Sequence, residues 1–503
     1  MNAILAVLLG IWDFFAKNIL TQPAYMIGFI VLIGYMLEKK PFYDSLAGFL
    51  KATIGYMILI VGSNGLVTSF RPILAGLKDR FHLTATVIDP YFGQNAVTEG
   101  VMKTFGKSFG DVMVLLLIAF VFNILLVRFS KYTKLRAVFT TGNVQVQQAA
   151  TAFWIILFAI PSLGRIEVLL VMGLLLGLYW AVGSNMTIKP IQELTDGGGF
   201  AIAHQQMFGI ALVAWISDKM KFHADKKGND QETKRLEDYE LPGFLRIFNE
   251  NMVATAILMF AFFGIIMLVL GRDYFTTLYV TSHGATGLAK DASFFFYIMT
   301  TSLSFAVNLA ILQLGVRTFV GELTESFTGI SDTILPNSVP GIDVAATFAF
   351  GEQNAVTIGF LFGALGQFLA IGSLMLFHSP TIIIAGFIPL FFDNAVFGVI
   401  ANNRAGAKAA MILPFLSGII QVVGAALIAT WIGMAKYGGY IGMFDWDTVW
   451  PMFTVILKYL GYVGVAIVAI ILLAIPQLEY RKDPKHYFLM VEDYEEYKEQ
   501  TEK

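Results

Sequence analysis

Apolar runs long enough to cross a bilayer recur along almost the whole chain, near residues 24–37, 46–67, 109–127, 137–160, 166–183, 250–270, 292–316, 355–377, 381–400, 409–434 and 455–476. A water-soluble domain cannot hide that much apolar length. In hydrocarbon each backbone N–H and C=O must find its partner inside the protein, which leaves helices as the only open-ended spanning element. The charged fraction agrees: 14% of 503 residues are Asp, Glu, Lys or Arg, against about 25% in soluble domains. The fold class expected is therefore an all-α polytopic membrane protein of about eleven spans.

The breaks between these runs carry an internal echo. Gln94-Asn95-Ala96-Val97-Thr98 returns as Gln353-Asn354-Ala355-Val356-Thr357, and Leu66, Ser69 and Phe70 upstream of the first copy return as Leu323, Ser326 and Phe327 upstream of the second. Lys39 and Lys40, the group Arg128, Lys131, Lys134 and Arg136, the segment from Asp218 to Arg246, and Arg404 with Lys408 all fall on one side if the amino terminus is outside and the carboxyl terminus cytoplasmic. Arg71, Lys78, Arg80, Lys103 and Lys107 fall on the other side or in re-entrant segments. With that parity the copies run in opposite directions, an inverted 5+1+5 repeat of the kind transporters use to hold a ligand near the midplane. The divisions expected are a first repeat at 1–217 with a hairpin near 72–105, a polar loop at 218–249, a linking span and external loop at 250–291, a second repeat at 292–476 with a hairpin near 328–354, and a charged cytoplasmic tail at 477–503. A duplicated packing motif without ligand contact is the alternative. The glycine-rich stretch 189–209 cannot cross lipid as a plain helix, and 438–450 is its expected counterpart.

Several chemistries are excluded or unsupported. The chain has no cysteine, so it has no disulfide, thiolate metal site or cysteine nucleophile. Six histidines lack metal-site spacing, no phosphate-binding glycine loop is present, and no nucleophile–base pair stands out, so neither a metal, a cofactor nor a catalytic residue is expected. Met1 to Leu20 reads as an interfacial amphipathic helix, not as a signal peptide.

Polar side chains at membrane depth are costly, so clusters of them suggest a substrate path. Asp89-Pro90-Tyr91-Phe92-Gly93-Gln94-Asn95 combines a carboxylate, a phenol and amides with helix-disfavouring residues, a set suited to a polyol or sugar ring. Thr140 to Gln148 opens a span. There Asn143 and Gln147 are four apart, on one helical face, and can converge on a ligand or bond to a neighbouring helix. His204-Gln205-Gln206 follows a triple glycine at a helix start, and Asp343 follows Pro340-Gly341-Ile342. Arg317, Glu322 and Glu325 read as an internal ion-pair network, and Asp393-Asn394 is ambiguous.

The pattern of eleven spans, Ser184-Asn185-Met186 leading through Lys189-Pro190 to Gln192-Glu193, Thr195-Asp196-Gly197, His204-Gln205-Gln206 and Gly386-Phe387-Ile388-Pro389 together resemble the IIC component of the L-ascorbate phosphotransferase system along nearly the whole chain. The resemblance implies a homodimeric permease of the bacterial inner membrane with a V-motif scaffold and a mobile core that moves by an elevator-type shift. It implies uptake of L-ascorbate, phosphorylated by a separate IIB protein through its phosphocysteine, which IIA supplies. Carried over by position, the substrate contacts fall on Pro90, Tyr91, Asn143, Val144, Gln145, Val146, Gln147, His204, Gln205 and Asp343. Where the family has a histidine and a threonine, this chain has Asn143 and Pro90. The alternative is an ion-coupled transporter of a sugar acid or polyol, with Asp89, Asp343 or His204 exchanging protons. A membrane enzyme or a purely structural subunit is a third possibility that no residue pattern supports.

Overall fold

The computed structural model describes residues 3–20, 22–80, 85–226, 233–239 and 251–501. Lys227 and Arg246 of the polar loop, and residues 81–84 of the first hairpin, lie outside them. Among the described residues eight helices are long and apolar enough to cross a bilayer, or nine if the bent pair Gly10–Ile19 and Pro23–Leu37 is one span. Eleven apolar runs are expected from the sequence, and not every run is a single long helix. The run 137–160 divides into a short strand and the 18-residue helix Gly142–Ala159, while the runs 381–400 and 409–434 contain a strand and one long helical stretch, Pro389–Trp431. That stretch bends at Gly406, whose φ of +80° only glycine adopts readily, and a Cβ there would lie 2.4 Å from the carbonyl oxygens of Thr233 and Lys234.

Two helices of unusual length, Phe42–Arg80 and Phe294–Thr333, pack along each other. At 1.5 Å per residue each is about 60 Å long, twice the hydrocarbon thickness of about 30 Å. Their contact is made by small residues: a Cβ on Gly62 would meet Leu312 N at 2.5 Å, and one on Gly315 would meet Leu59 N at 2.2 Å. Close backbone approach replaces the hydrophobic drive that lipid cannot supply between helices. The ion-pair network expected around Arg317 is drawn differently. Glu322 pairs with Lys51, Glu325 with Lys40 at 2.6 Å, and Tyr35 donates to both acids, whereas Arg317 reaches the Ala349 carbonyl.

Six short strands break the helical pattern: β1 Ala85–Ile88, β2 Ala137–Phe139, β3 Ala201–Ile202, β4 Val339–Ile342, β5 Ile382–Ala385 and β6 Gly439–Tyr440. They form two parallel sheets, ordered β5-β1-β6 and β2-β4-β3. The first strand of each half is thus flanked by the second and third strands of the other half. This pairing lets extended backbone lie among spanning helices, because the exposed N–H and C=O groups satisfy each other; the ladder continues through Asp89 N to Tyr440 O at 2.9 Å and Ala203 N to Ile342 O at 2.8 Å.

The repeated words occupy different environments. Gln94–Thr98 lies inside the helix Pro90–Phe105, with Thr98 exposed, whereas Gln353 opens the helix Gln353–Leu376 and Thr357 is buried against Thr255, the two hydroxyls 2.9 Å apart. Ile88-Asp89 and Ile342-Asp343 each stand at the end of a strand, where the aspartate caps the next helical segment. The charged tail is folded: Tyr494 and Tyr497 pack near Ala137, Ile188 and Val339, Lys498 pairs with Asp196 at 2.7 Å, and Tyr487 donates to the Lys134 carbonyl at 2.6 Å. Burial raises the phenol pKa of Tyr487 and Tyr497 above the usual range.

Candidate functional site

Each strand ends where a helical segment begins, so several segment starts meet between the sheets. Asp89 ends β1 and caps Pro90–Phe105, its carboxylate accepting from Tyr91 N at 2.9 Å; proline suits the first helical position, where its missing N–H costs nothing. Asp343 ends β4 and caps the 3₁₀ turn Val344–Ala349 in the same way, through Ala345 N at 2.9 Å. Thr141 leads β2 into Gly142–Ala159, and the segment 203–206 leads β3 into Met207–Lys226.

A cavity of about 250 Å³ lies at these starts. Of the ten residues expected to contact substrate, Pro90, Tyr91, Asn143, Val144, Gln147, His204 and Asp343 line it. Gln145, Val146 and Gln205 do not. The helix explains the first two: a turn of 3.6 residues keeps 143 and 147 on one face and rotates 145 and 146 away. Gln145 instead donates to the Phe139 carbonyl at 3.1 Å. Gln205 is fully buried, and its Nε2 donates to Gln147 Oε1 at 2.8 Å. That bond orients the Gln147 amide and leaves Gln147 Nε2 as an uncommitted donor.

The rest of the lining comes from residues outside the ten expected contacts. Ser63, Asn64 and Arg71 enter from the long helix Phe42–Arg80, and Ala345, Ile388 and Phe392 from the second half. Ser63-Asn64 is detectable as a polar pair within an apolar run. Arg71 reads along the chain only as a charge on the wrong side. Phe392 carries no signal, since aromatic residues surround it in sequence.

Buried hydrogen bonds hold the polar wall in place. His204 Nδ1 lies 2.7 Å from Gln206 Oε1, Gln206 donates to the Phe392 carbonyl, and the His204 and Phe392 rings are near parallel with centroids 6.4 Å apart. Gln148 donates to the His204 carbonyl at 3.1 Å and accepts from Trp180 Nε1 at 2.6 Å. Asn143 Oδ1, in contrast, is buried with no hydrogen-bond partner among the described residues. A buried unsatisfied carbonyl costs about 1–3 kcal/mol, which a ligand hydroxyl group would recover. The site therefore combines amide donors and acceptors, one imidazole, one carboxylate, one guanidinium and an aromatic ring. It is equipped to hydrogen-bond a small polar ring.

Asp393 and Asp445 lie behind this wall and act as helix caps. Asp393 accepts from Phe444 N at 2.7 Å, and Asp445 accepts from Phe208 N and Gly209 N at 3.0 and 2.9 Å and from the Tyr179 hydroxyl at 2.7 Å.

Residues 18–447 match the family model described as the PTS system sugar-specific permease component. The chain is also similar to the ascorbate-specific PTS system EIIC component of Mycoplasma pneumoniae, with 32% identity over 439 residues, 81% of this chain and 65% of that relative. The match thus spans a little less than two thirds of the relative's length.

Proposed function

The chain belongs to the sugar-specific permease family of the phosphotransferase system, and from that premise we propose that it is a IIC subunit that takes up L-ascorbate or a closely related sugar acid, coupled to phosphorylation by a separate IIB protein that IIA recharges. It is a multi-pass membrane protein. The observation that carries the substrate reading is the joint lining of one 250 Å³ cavity by Tyr91, Asn143, Gln147, His204, Asp343 and Arg71. A sugar acid presents hydroxyl groups, which suit the amides and the Asp343 carboxylate, and a negative charge, which suits Arg71 and the positive ends of the surrounding helix starts. Asn143 stands where the resembling family has a histidine. Arg71 supplies the positive charge that the amide cannot.

The two halves are inverted copies in this reading. The reciprocal strand order of the two sheets and the Ile-Asp pair at the end of each first strand support it. The long helices Phe42–Arg80 and Phe294–Thr333 form a fixed V-shaped scaffold in a homodimer, and the strand-bearing core moves past them as a unit, carrying substrate between the two sides. The amino terminus faces outward and the tail faces the cytoplasm, where IIB works. The reaction needs no nucleophile on this chain, because the phosphoryl group passes from IIB to the substrate.

Uptake of labelled ascorbate into vesicles with and without IIB tests this. The expected result is accumulation of phosphorylated ascorbate only with IIB, with Arg71→Gln binding substrate about tenfold more weakly. Accumulation of free ascorbate driven by an ion gradient without IIB would overturn the coupling and favour ion-coupled transport.

A further inference from the structure

A cavity larger than the polar site lies elsewhere among the described residues. It measures about 810 Å³, within the range of about 300–1,000 Å³ typical of small-molecule sites, and lies between the helices Met207–Lys226, Asn394–Trp431 and Phe444–Lys482, closed at one end by the folded tail. Its two ends differ. Along one part the wall is apolar, with Leu212, Trp215, Ile420 and Met452 also exposed on the outer surface; Trp215 and Met452 are each 58% exposed. In a membrane such an opening faces acyl chains.

The other end is lined by four cations, Arg136, Lys189, Arg404 and Lys482, together with three carboxylates, Asp218, Glu479 and Asp483, and by His486. Two of the cations are already committed. Arg404 binds both carboxylate oxygens of Asp218, at 2.8 and 2.9 Å, and pairs with Glu193. Arg136, buried, bonds Asn185 Oδ1 at 3.3 Å and the Tyr487 carbonyl and stacks on the Tyr487 ring at 3.5 Å. Lys189 and Lys482 are different. Lys189 has only a 3.7 Å approach to Glu193, an exposed pair of little worth, and Lys482 makes no direct hydrogen bond or ion pair among the described residues; both attract the Glu479 carboxylate of the same wall only at longer range. His486 lines the same end; Asp483 holds its Nδ1 at 2.9 Å, and its buried Nε2 has no hydrogen-bond partner among the described residues.

We infer that this cavity binds one anionic phospholipid of the surrounding membrane, its phosphate held by Lys189, Lys482 and His486 and an acyl chain lying along Leu212, Trp215 and Met452. Charge complementarity selects the headgroup, because basic pockets between membrane helices attract anionic lipid where apolar walls alone would accept any chain. The position also gives the lipid a route to the transport site. Arg136 directly precedes β2, its carbonyl accepts from Val339 N at 2.8 Å, and β2 leads into the helix that carries Asn143 and Gln147. A lipid drawn to His486 and Lys482 holds the tail, and with it Tyr487, against that strand.

Native mass spectrometry of the full chain in mild detergent, titrated with phosphatidylglycerol, phosphatidylethanolamine or inorganic phosphate, tests the inference. One phosphatidylglycerol should be retained in preference to phosphatidylethanolamine, and the double variant Lys189→Gln with Lys482→Gln should bind it about tenfold more weakly or worse. Melting and gel-filtration profiles report whether that variant folds. If it does not, brominated-chain phosphatidylglycerol added to the unaltered charged site gives a second reading: it should quench the wild type more than Trp215→Phe. Equal retention of both lipids, equal binding by the folded double variant, saturation by inorganic phosphate, or quenching unchanged in Trp215→Phe overturns the proposal. So does a soluble protein partner whose binding falls in the variant while lipid retention does not.

Discussion

Asp89 and Asp343 end the first strand of their respective halves and cap the next segment with the same bond, yet the segments they open are unlike. Asp89 starts a 16-residue α-helix that puts Tyr91 into the cavity, while Asp343 starts a six-residue 3₁₀ turn whose contribution is Ala345 and the carboxylate itself. The next strand of each half repeats the contrast. After β2 come the amides of Asn143 and Gln147, and after β5 come Ile388 and Phe392. The first half thus supplies the phenol, the amides and the imidazole, and the second half, apart from the Asp343 carboxylate, an apolar wall. The difference teaches that the backbone supplies converging helix starts and that side-chain divergence turns the space between them into a site with two chemically distinct faces.

Gln147→Leu should break this asymmetry most severely. It keeps the volume, removes the uncommitted donor and strands Gln205 Nε2, so ascorbate affinity measured by calorimetry should fall by about 1–3 kcal/mol, roughly 5- to 150-fold. An equal loss in Phe392→Leu would mean that the polar half has no special share in binding. The paired aspartates come next. Asparagine can still accept the capping N–H at either position, so Asp343→Asn, on the cavity, should weaken binding about tenfold, whereas Asp89→Asn, off the cavity, should change it by less than about threefold. Comparable losses in both would show that the two acids act through the fold. A smaller loss than in Asp343→Asn, about 0.5–1 kcal/mol in ligand affinity, is expected from Phe392→Leu, with melting temperature little changed. A thiol test separates the repeated words themselves: in a chain without cysteine, Thr98→Cys should react with an impermeant reagent and Thr357→Cys, buried beside Thr255, should not. Equal reactivity would restore the words as matching positions.

Much of the site was legible because helical periodicity is local. The four-residue spacing of Asn143 and Gln147 is enough to put them on one face, and Asp343 after Pro-Gly-Ile marks a segment start. Gln205 was legible as a polar residue at membrane depth but not as a partner of Gln147, since that bond joins residues 58 apart in sequence. Arg71 escapes for a similar reason: charge counting along a chain assigns sides to loops and cannot see a helix about 60 Å long bringing one of its turns to a cavity.

The sequence by itself determined that this chain lives in a membrane, that its spans are helical, and which polar clusters interrupt them, because hydropathy and helix geometry act within a few turns of the residues concerned. Only the tertiary structure decided that the interruptions are strands. Two to four residues of extended chain have no stability alone in an apolar medium. They persist because strands distant in sequence satisfy their backbone groups, as Ala201 beside Gly341 and Ile88 beside Tyr440 illustrate. The same long-range pairing set Ile88-Asp89 and Ile342-Asp343 at the ends of β1 and β4, while the more visible five-residue words fall at different points of their helices. It also chose which seven of ten candidate side chains meet around one cavity, since that depends on which helix starts the paired strands bring together.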